Sequence, residues 1–395
     1  MTKKNILIAT GGTGGHIFPA YSLANYLINK NFKVKLTTDK RGFKYLKDYK
    51  NLDLVIIPSS PLIKKTILKF LVSIFIIIYS IIKSFLFLLL NRPSIIFGMG
   101  GYSSFPICIA AYILRIKFII YENNLIIGKA NKYLLPFTYK IFVSYKQLEG
   151  IGEKFNNKVY EIGNILRKEI INSNSAAKIN KFDSMKILVL GGSQAARIFA
   201  EQLPEIFEKL KNDGETIKVY QQCQNNQNEK LSYFYKKAKI DHEIFNFTDK
   251  ICNYYSKANL VITRSGASVL GELINYKIPF ISIPLPTSAE NHQYKNAEFY
   301  LKKGYGYLIE EKNIKNKLYI LIRQMFNDKH LIDNILAKQK EYSDKNTFNN
   351  LSTIKHRLDL ENIKFVSFLQ PTLLENLKKD FDETLFLLWS YNVTS

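Results

Sequence analysis

Short apolar runs, each closed by glycines and followed by helical spacing, recur along the chain: NILIAT before GGTGGH, SIIFG before MGGYSS, KILVL before GGSQAA, and LVIT before RSGAS. Strands alternating with helices imply parallel sheets joined by right-handed crossovers, with ligand loops at the strands' carboxyl ends. The series restarts at Lys186 after the polar stretch RKEIINSNSAAKINKFDS, residues 167–184, which has the composition of a linker. The pattern therefore predicts an α/β protein with two Rossmann-like domains, residues 1–165 and 166–345, facing a central cleft. Beyond Asn346 the regularity fades. Residues 346–395 are expected to hold a returning helix and a tail that the pattern does not assign, with the single tryptophan, Trp389, and a short amphipathic stretch broken by Pro371.

One segment does not read as part of a soluble protein. ILKFLVSIFIIIYSIIKSFLFLLL, residues 67–90, is long enough to cross a bilayer, and its apolar residues at roughly −0.3 to −0.6 kcal/mol each outweigh two lysines at roughly +2.5 to +3.5. Yet it joins LDLVIIP to PSIIFGMGG. If both are strands of one parallel sheet, the connection is a crossover that begins and ends on the same side of a membrane. The expectation is a helix lying on or in one leaflet. Lys65, Thr66, Lys69, Ser73, Ser80, Lys83 and Ser84 share a narrow arc of that helix, interrupted by Ile76 and Phe87, which leaves apolar surface for both a sheet and a lipid phase.

Fifty-six Lys and Arg against 33 Asp and Glu give a formal charge of +23, which suits a polyanionic partner, although an AT-rich coding sequence produces the same lysine excess. Lysines such as Lys64 and Lys65 would add about 1 kcal/mol each against an anionic leaflet. Cys108, Cys223 and Cys252 have no metal-ligand spacing and fit a reducing compartment. The apolar run in MTKKNILIATGG is too short for a signal-peptide core, so no export is expected.

A glycine turn between strand and helix lets main-chain N–H groups approach a phosphate at the positive end of the helix. Alone, GGTGGH with Asp39 at the end of the next apolar run resembles a dinucleotide fingerprint, but that template needs Gly or Ala where Ile17 stands. Several glycine loops on two domains fit nicotinamide binding less well. HExxH, GxSxG and GxxxxGK[ST] are absent, and the DFD at Asp380–Asp382 lacks a preceding strand, so no metal and no cofactor is expected.

GGTGGHIFPA, GMGGYSSFP, YENNLIIGKANK, GGSQAA, RSGASVLGEL and NHQYKNA, in this order and spacing, resemble the MurG family of peptidoglycan N-acetylglucosaminyltransferases over about residues 4–345. The resemblance implies the GT-B fold. It also implies transfer of N-acetylglucosamine from UDP-N-acetylglucosamine to the C4 hydroxyl of the muramoyl sugar of lipid I, with inversion, giving lipid II. The partners implied are those two substrates and anionic inner-leaflet lipids, with no nucleic acid, for a peripheral protein on the cytoplasmic face of the bacterial inner membrane.

The resemblance further implies roles for particular residues. His16 would be the catalytic base, the side chain best matched to proton transfer near neutrality. Glu272, early in the helix opened by RSGAS, would accept hydrogen bonds from two ribose hydroxyls. Phe247 and Thr248 would border the uracil, Gln293 and Asn124 would reach the sugar, and Arg167 and Ser193 would hold the departing diphosphate. Thr13, Gly14, Gly15, Arg264, Gly266 and Ala267 complete the donor set, and Gly100, Gly101, Tyr102, Ser103 and Glu122 the acceptor set. Two features depart from the family: YENN stands where His-Glu-Gln-Asn is usual, and Ala195 where the third glycine loop usually has Gly. A GT-B transferase acting on another lipid of diacylglycerol type, and a sugar-nucleotide-binding membrane scaffold without catalysis, are the alternatives.

Overall fold

The computed structural model describes residues 4–49, 51–61, 66–173, 184–192 and 197–351. Ser193, Ala195, Lys64, Lys65, most of the expected linker and the tail from 352, with Asp380–Asp382 and Trp389, lie outside the described residues.

Two parallel sheets carry the fold. The first contains β1 (Asn5–Ala9), β2 (Lys33–Thr38), β3 (Asp53–Ile56), β4 (Ile95–Gly98), β5 (Phe118–Glu122), β6 (Lys140–Val143) and β7 (Val159–Glu161), in the order β3-β2-β1-β4-β5-β6-β7. The second contains β8 (Met185–Leu190), β9 (Ile217–Gln222), β10 (Asp241–Phe245), β11 (Leu260–Thr263), β12 (Phe280–Ser282) and β13 (Tyr307–Leu308), in the order β10-β9-β8-β11-β12-β13. The 165/166 boundary read from the sequence falls between the two sheets. Both orders reverse direction beside their first strand, and such switch points are where open α/β sheets bind ligands.

The unbroken apolar runs have a simple cause: both sheet faces are covered. In β1, Ile6 and Ile8 enter one core and Leu7 and Ala9 the other; in β8, Ile187 and Val189 oppose Leu188 and Leu190 in the same way. The helices of the first domain are α1 (Gly14–Asn29), α2 (Lys40–Leu46), α3 (Ile67–Asn91), α4 (Ser104–Ile113) and α5 (Lys129–Leu134), with α6 (Lys168–Ile171) at the crossing. Those of the second are α7 (Arg197–Asn212), α8 (Asn228–Lys237), α9 (Cys252–Tyr255), α10 (Ala267–Tyr276), α11 (His292–Lys302), α12 (Tyr319–Asn327) and α13 (Lys329–Lys340).

The apolar segment forms α3, which joins β3 to β4 within one sheet. Its orientation follows from its serines. Ser73, Ser80 and Ser84 are buried, and each hydroxyl donates to the carbonyl four residues earlier, at 2.7, 2.6 and 2.6 Å, so the buried stripe is small and has no unpaired hydroxyl. That stripe lets α4 pack closely. Ile67, Leu68, Leu71, Val72, Phe75, Ile78 and Ile82 point outward instead, with Ile67 81% and Phe75 72% exposed.

The chain then returns. Residues 347–351 are helical, Phe348 and Leu351 pack into the core of the first domain, and Asn350 donates to the Ile162 carbonyl at 3.1 Å. Phe348 also stacks on Tyr26 at 4.3 Å between centroids.

Candidate active site

The two switch points meet across the cleft. On the first, the loops after β1 and β4 interlock: Gly100 and Gly101 hold φ of +85° and +76°, a region open chiefly to glycine, and the His16 ring lies against them. A side chain at Gly100 would come within 2.9 Å of the imidazole, so the second glycine loop makes room for the histidine of the first. Ser103 is buried and bonds Ser59 at 2.9 Å, whereas Tyr102 is partly exposed beside it.

Asp39 lies nearby, but it serves the protein. It is buried, caps α2 by accepting from the Gly42 N–H at 2.8 Å, accepts from the Gly12 N–H at 3.2 Å and pairs with Arg41. Burial works against its charge, but these donors outweigh burial and hold its carboxyl below the usual value. Its likeness to a ribose-binding acid is thus a consequence of its work in tying the first glycine loop to α2.

Burial pushes the His16 imidazole below its ordinary value. Glu122 and a hydrogen bond with the Met99 main chain pull the other way, and His292 adds to the lowering. A ring kept neutral has a nitrogen able to take a proton.

Glu122 does not offer a free oxygen to the cleft. It is 2% exposed, Oε1 accepts from the Asn124 main chain at 3.1 Å and from Asn124 Nδ2 at 2.8 Å, and Oε2 accepts from the Gly128 N–H and Asn131 Nδ2, each at 2.9 Å. The expectation of direct acceptor contact is corrected: this carboxylate folds the 122–131 loop and adds negative potential near His16. Asn124 in turn accepts from Asn296 Nδ2 of α11 at 3.1 Å, so the expected sugar contact already spans the two domains.

On the donor side, Gly266 caps α10 in open space, and Ala267 begins the helix. Ser268 Oγ donates to the Gly15 carbonyl at 2.8 Å, which brings the N-termini of α10 and α1 together. Thr13, at the N-cap of α1, is exposed at the same place, and Gly14 and Gly15 form the first turn. Two helix N-termini converging on one point make a site for a diphosphate. Asn123 donates to both Gly15 O (3.2 Å) and Ser268 Oγ (2.9 Å). Asn123, which departs from the family's usual residue, is thus a cross-cleft contact.

Glu272 is 5% exposed and receives Arg167 through Nε and Nη2 at 2.8 to 3.1 Å and the Tyr255 hydroxyl at 2.9 Å. Burial works against the charge of Arg167, but the adjacent carboxylate outweighs it and strengthens the guanidinium's hold on its proton. Arg167 also donates to the Asp249 carbonyl at 3.1 Å and lies over the Phe18 ring at 4.8 Å. Phe247, 51% exposed, faces Phe18 with rings 6.3 Å apart and 5° from parallel, and meets Tyr45 edge-on at 5.2 Å. Thr248 accepts from the Lys250 N–H at 3.1 Å. Gln293 Oε1 accepts from the Leu285 and Ser265 N–H groups at 2.9 and 3.3 Å, bracing the loops beside Gly266.

The Arg264 side chain is another correction. It is 8% exposed, donates to the Ile283 and Pro284 carbonyls at 3.2 Å, pairs with Glu311 and lies over Phe199. Its guanidinium stitches strand ends together, so a donor contact from this residue would have to be main-chain. Among the described residues no group of His, Cys, Asp and Glu is placed to hold a metal ion.

Two Rossmann-like domains with glycine-lined switch points abutting across a cleft have the architecture of the GT-B class. Residues 6–143 match the glycosyltransferase family 28 N-terminal domain and residues 186–353 its C-terminal domain. The chain is 38% identical over 358 residues to the UDP-N-acetylglucosamine--N-acetylmuramyl-(pentapeptide) pyrophosphoryl-undecaprenol N-acetylglucosamine transferase of Pelagibacter ubique, covering 89% of this chain and 97% of that protein. It is 35% identical to the enzyme of the same name from Rickettsia canadensis, covering 86% and 96%. The crystal structure of Acinetobacter baumannii MurG superposes with a TM-score of 0.70 at 21% identity, covering 90% of this chain and 99% of that one. The chain belongs to the MurG family of glycosyltransferases.

Proposed function

We infer that this protein transfers N-acetylglucosamine from UDP-N-acetylglucosamine to the C4 hydroxyl of the muramoyl sugar of lipid I, forming lipid II for peptidoglycan synthesis. The observation that carries the site reading is the contact of Ser268 with Gly15, which points the N-termini of α10 and α1 at one spot beside His16.

The chemistry is a single displacement. The C4 oxygen of the acceptor forms a bond to C1 of the donor sugar while the bond from C1 to the β-phosphate oxygen breaks, so the anomeric centre inverts. His16, kept neutral by burial, takes the hydroxyl proton. The N–H groups at the start of α10 and the Arg167 guanidinium meet the charge that develops on UDP, which needs no metal. Ser193, in the third glycine loop, keeps by resemblance the role of a further diphosphate contact. Glu272 binds the ribose, Phe247 and Thr248 flank the base, and Gln293 and Asn124 orient the sugar. Gly100, Gly101, Tyr102 and Ser103 receive the acceptor diphosphate.

The outward face of α3 seats the protein on the cytoplasmic leaflet of the inner membrane, next to the lipid-linked acceptor. Supporting this are a contiguous row of exposed large apolar side chains, Lys69 on the same helix, and an overall charge of +23 that suits anionic lipid. Purified protein given UDP-N-acetylglucosamine and a lipid I analogue, in EDTA, is expected to make the disaccharide. Transfer to diacylglycerol but not to lipid I, or donor binding with no transfer to any lipid, would overturn the assignment.

A further inference from the structure

The chain passes between the domains twice, near residues 162–166 and near residues 342–347, and both crossings close on one carboxylate. Asp344 is 3% exposed. Its Oδ1 accepts from the Asn164 main-chain N–H and the Tyr342 hydroxyl, each at 2.9 Å, and its Oδ2 accepts from Asn164 Nδ2 at 2.9 Å and Asn275 Nδ2 at 2.6 Å. The Asp344 N–H donates to Asn275 Oδ1 at 2.8 Å. Four donors on one buried carboxylate are what such a group needs to stay there.

This cluster grips the donor helix. Asn275 is on α10 and also donates to the Gly271 carbonyl at 2.9 Å. The Asn164 side chain occupies the space in which a side chain at Gly271 would stand, since a Cβ there would lie 2.9 Å from Asn164 Cγ. The next residue on the helix is Glu272, and three residues after Asn164 comes Arg167, which holds Glu272. Residues 164–167 are thus fastened to 271–272 by one steric contact and one ionic contact, and Asp344 fixes the steric one.

We propose that Asn164 and Asp344 are positioning residues for the donor sugar nucleotide: they set α10 against the acceptor domain, so that Glu272 and the start of the helix stand at the right distance from His16. This rests on Glu272 being the ribose ligand. A hinge with only a structural role would affect stability and both substrates alike. A positioning role affects the donor selectively in a folded protein.

The experiment measures UDP-N-acetylglucosamine affinity by calorimetry, KM for a lipid I analogue, and Tm, for Gly271→Ala, Asn164→Ala, Gly271→Ala with Asn164→Ala, Asp344→Asn and Glu272→Ala. Gly271→Ala is expected to weaken donor binding on the order of 10–100-fold, because the donor's hydroxyls lose well-placed partners at Glu272, with acceptor KM little changed. Asn164→Ala added to it should recover part of the loss, because the smaller side chain makes room for the new methyl. Asp344→Asn should follow Gly271→Ala. Wild-type donor affinity in both Gly271→Ala and Asp344→Asn, equal losses for donor and acceptor, or no recovery in the double variant would overturn the proposal. Unchanged affinity in Glu272→Ala would instead remove the ribose assignment on which it stands.

Discussion

Arg167 and Glu272 are joined by three hydrogen bonds of 2.8 to 3.1 Å, and Tyr255 supplies a fourth to the same carboxylate at 2.9 Å. A carboxylate has about four lone-pair sites, so ribose hydroxyls can reach Glu272 only by displacing a donor already there. Arg167 is the one with somewhere else to go. If a ribose takes its place, as the proposed role of Glu272 requires, the guanidinium becomes available to the diphosphate, which would link binding of the nucleoside to neutralisation of the leaving group.

Glu272→Ala should therefore weaken UDP-N-acetylglucosamine binding by roughly 1–3 kcal/mol, the cost of leaving buried polar groups unpaired. It should also lower Tm, because Arg167 loses its buried partner. Calorimetry decides the first point: unchanged donor affinity would exclude Glu272 from the site. Arg167→Lys should lower kcat as well as donor affinity, since an ammonium cannot reproduce the two-pronged contact.

Proton removal by His16 sets a pH dependence. Because burial lowers its pKa from the ordinary 6.5, the ring is unprotonated at neutral pH, and activity should be lost as pH falls through a value below 6.5. Glu122→Gln removes a charge that raises the His16 pKa, so this acid limb should move to still lower pH, measured as log kcat/KM against pH. His16→Ala should slow transfer by about 10²–10⁴-fold and abolish the limb. Near-normal turnover in His16→Ala would leave the histidine only a structural role.

Asn123 and Ser268 are coupled through the Gly15 carbonyl, so their substitutions should not add. A double-mutant cycle of Asn123→Ala and Ser268→Ala on donor affinity should give an interaction energy of about 0.5–3 kcal/mol, the range for residues in one hydrogen-bond network. Strict additivity would mean that the cross-cleft triangle does not hold the site together.

For α3, replacing Leu71, Phe75 and Ile78 together by Ser should abolish co-sedimentation with anionic vesicles, each side chain being worth roughly 1.5–3 kcal/mol when fully buried. Tm and donor affinity should stay at wild-type values, because these side chains point away from the core. In cells, carbonate should release the protein, and protease on the periplasmic side should leave it intact. Periplasmic cleavage on one side of α3 alone would make it a spanning helix and break the sheet that joins β3 to β4.

The sequence carried the fold well because glycines at strand ends and fully apolar strands are local signatures of parallel sheets. It also brought His16, Gly100, Gly101, Gly266 and Glu272 to notice, since each lies in a glycine loop or just inside the helix that follows one. What it could not show was where a polar side chain spends its hydrogen bonds. Glu122 and Arg264 stand in the right motifs but are consumed by the protein's own loops and strand ends. Asn296 was within reach as part of NHQYKNA, and Ser268 as part of RSGAS. Asp344 was not, because nothing around it marks an acid that closes contacts with residues 180 positions away. The serines of α3 read as a polar arc, and only tertiary packing revealed that this arc faces inward.

The same helix has a consequence for how acceptors are chosen. It is part of the domain itself: it lies between β3 and β4 of the sheet whose loops hold His16 and Gly100, and it packs on α4. Its most exposed residues, Ile67, Leu68 and Phe75, lie in the half that follows β3, toward the sheet edge on which the glycine loops open. A protein seated by that face would hold those glycine loops at a set height above the lipid. Acceptors whose sugar stands off the membrane on phosphate spacers of different length should then differ in turnover, which assays with lipid I analogues of altered spacer would show.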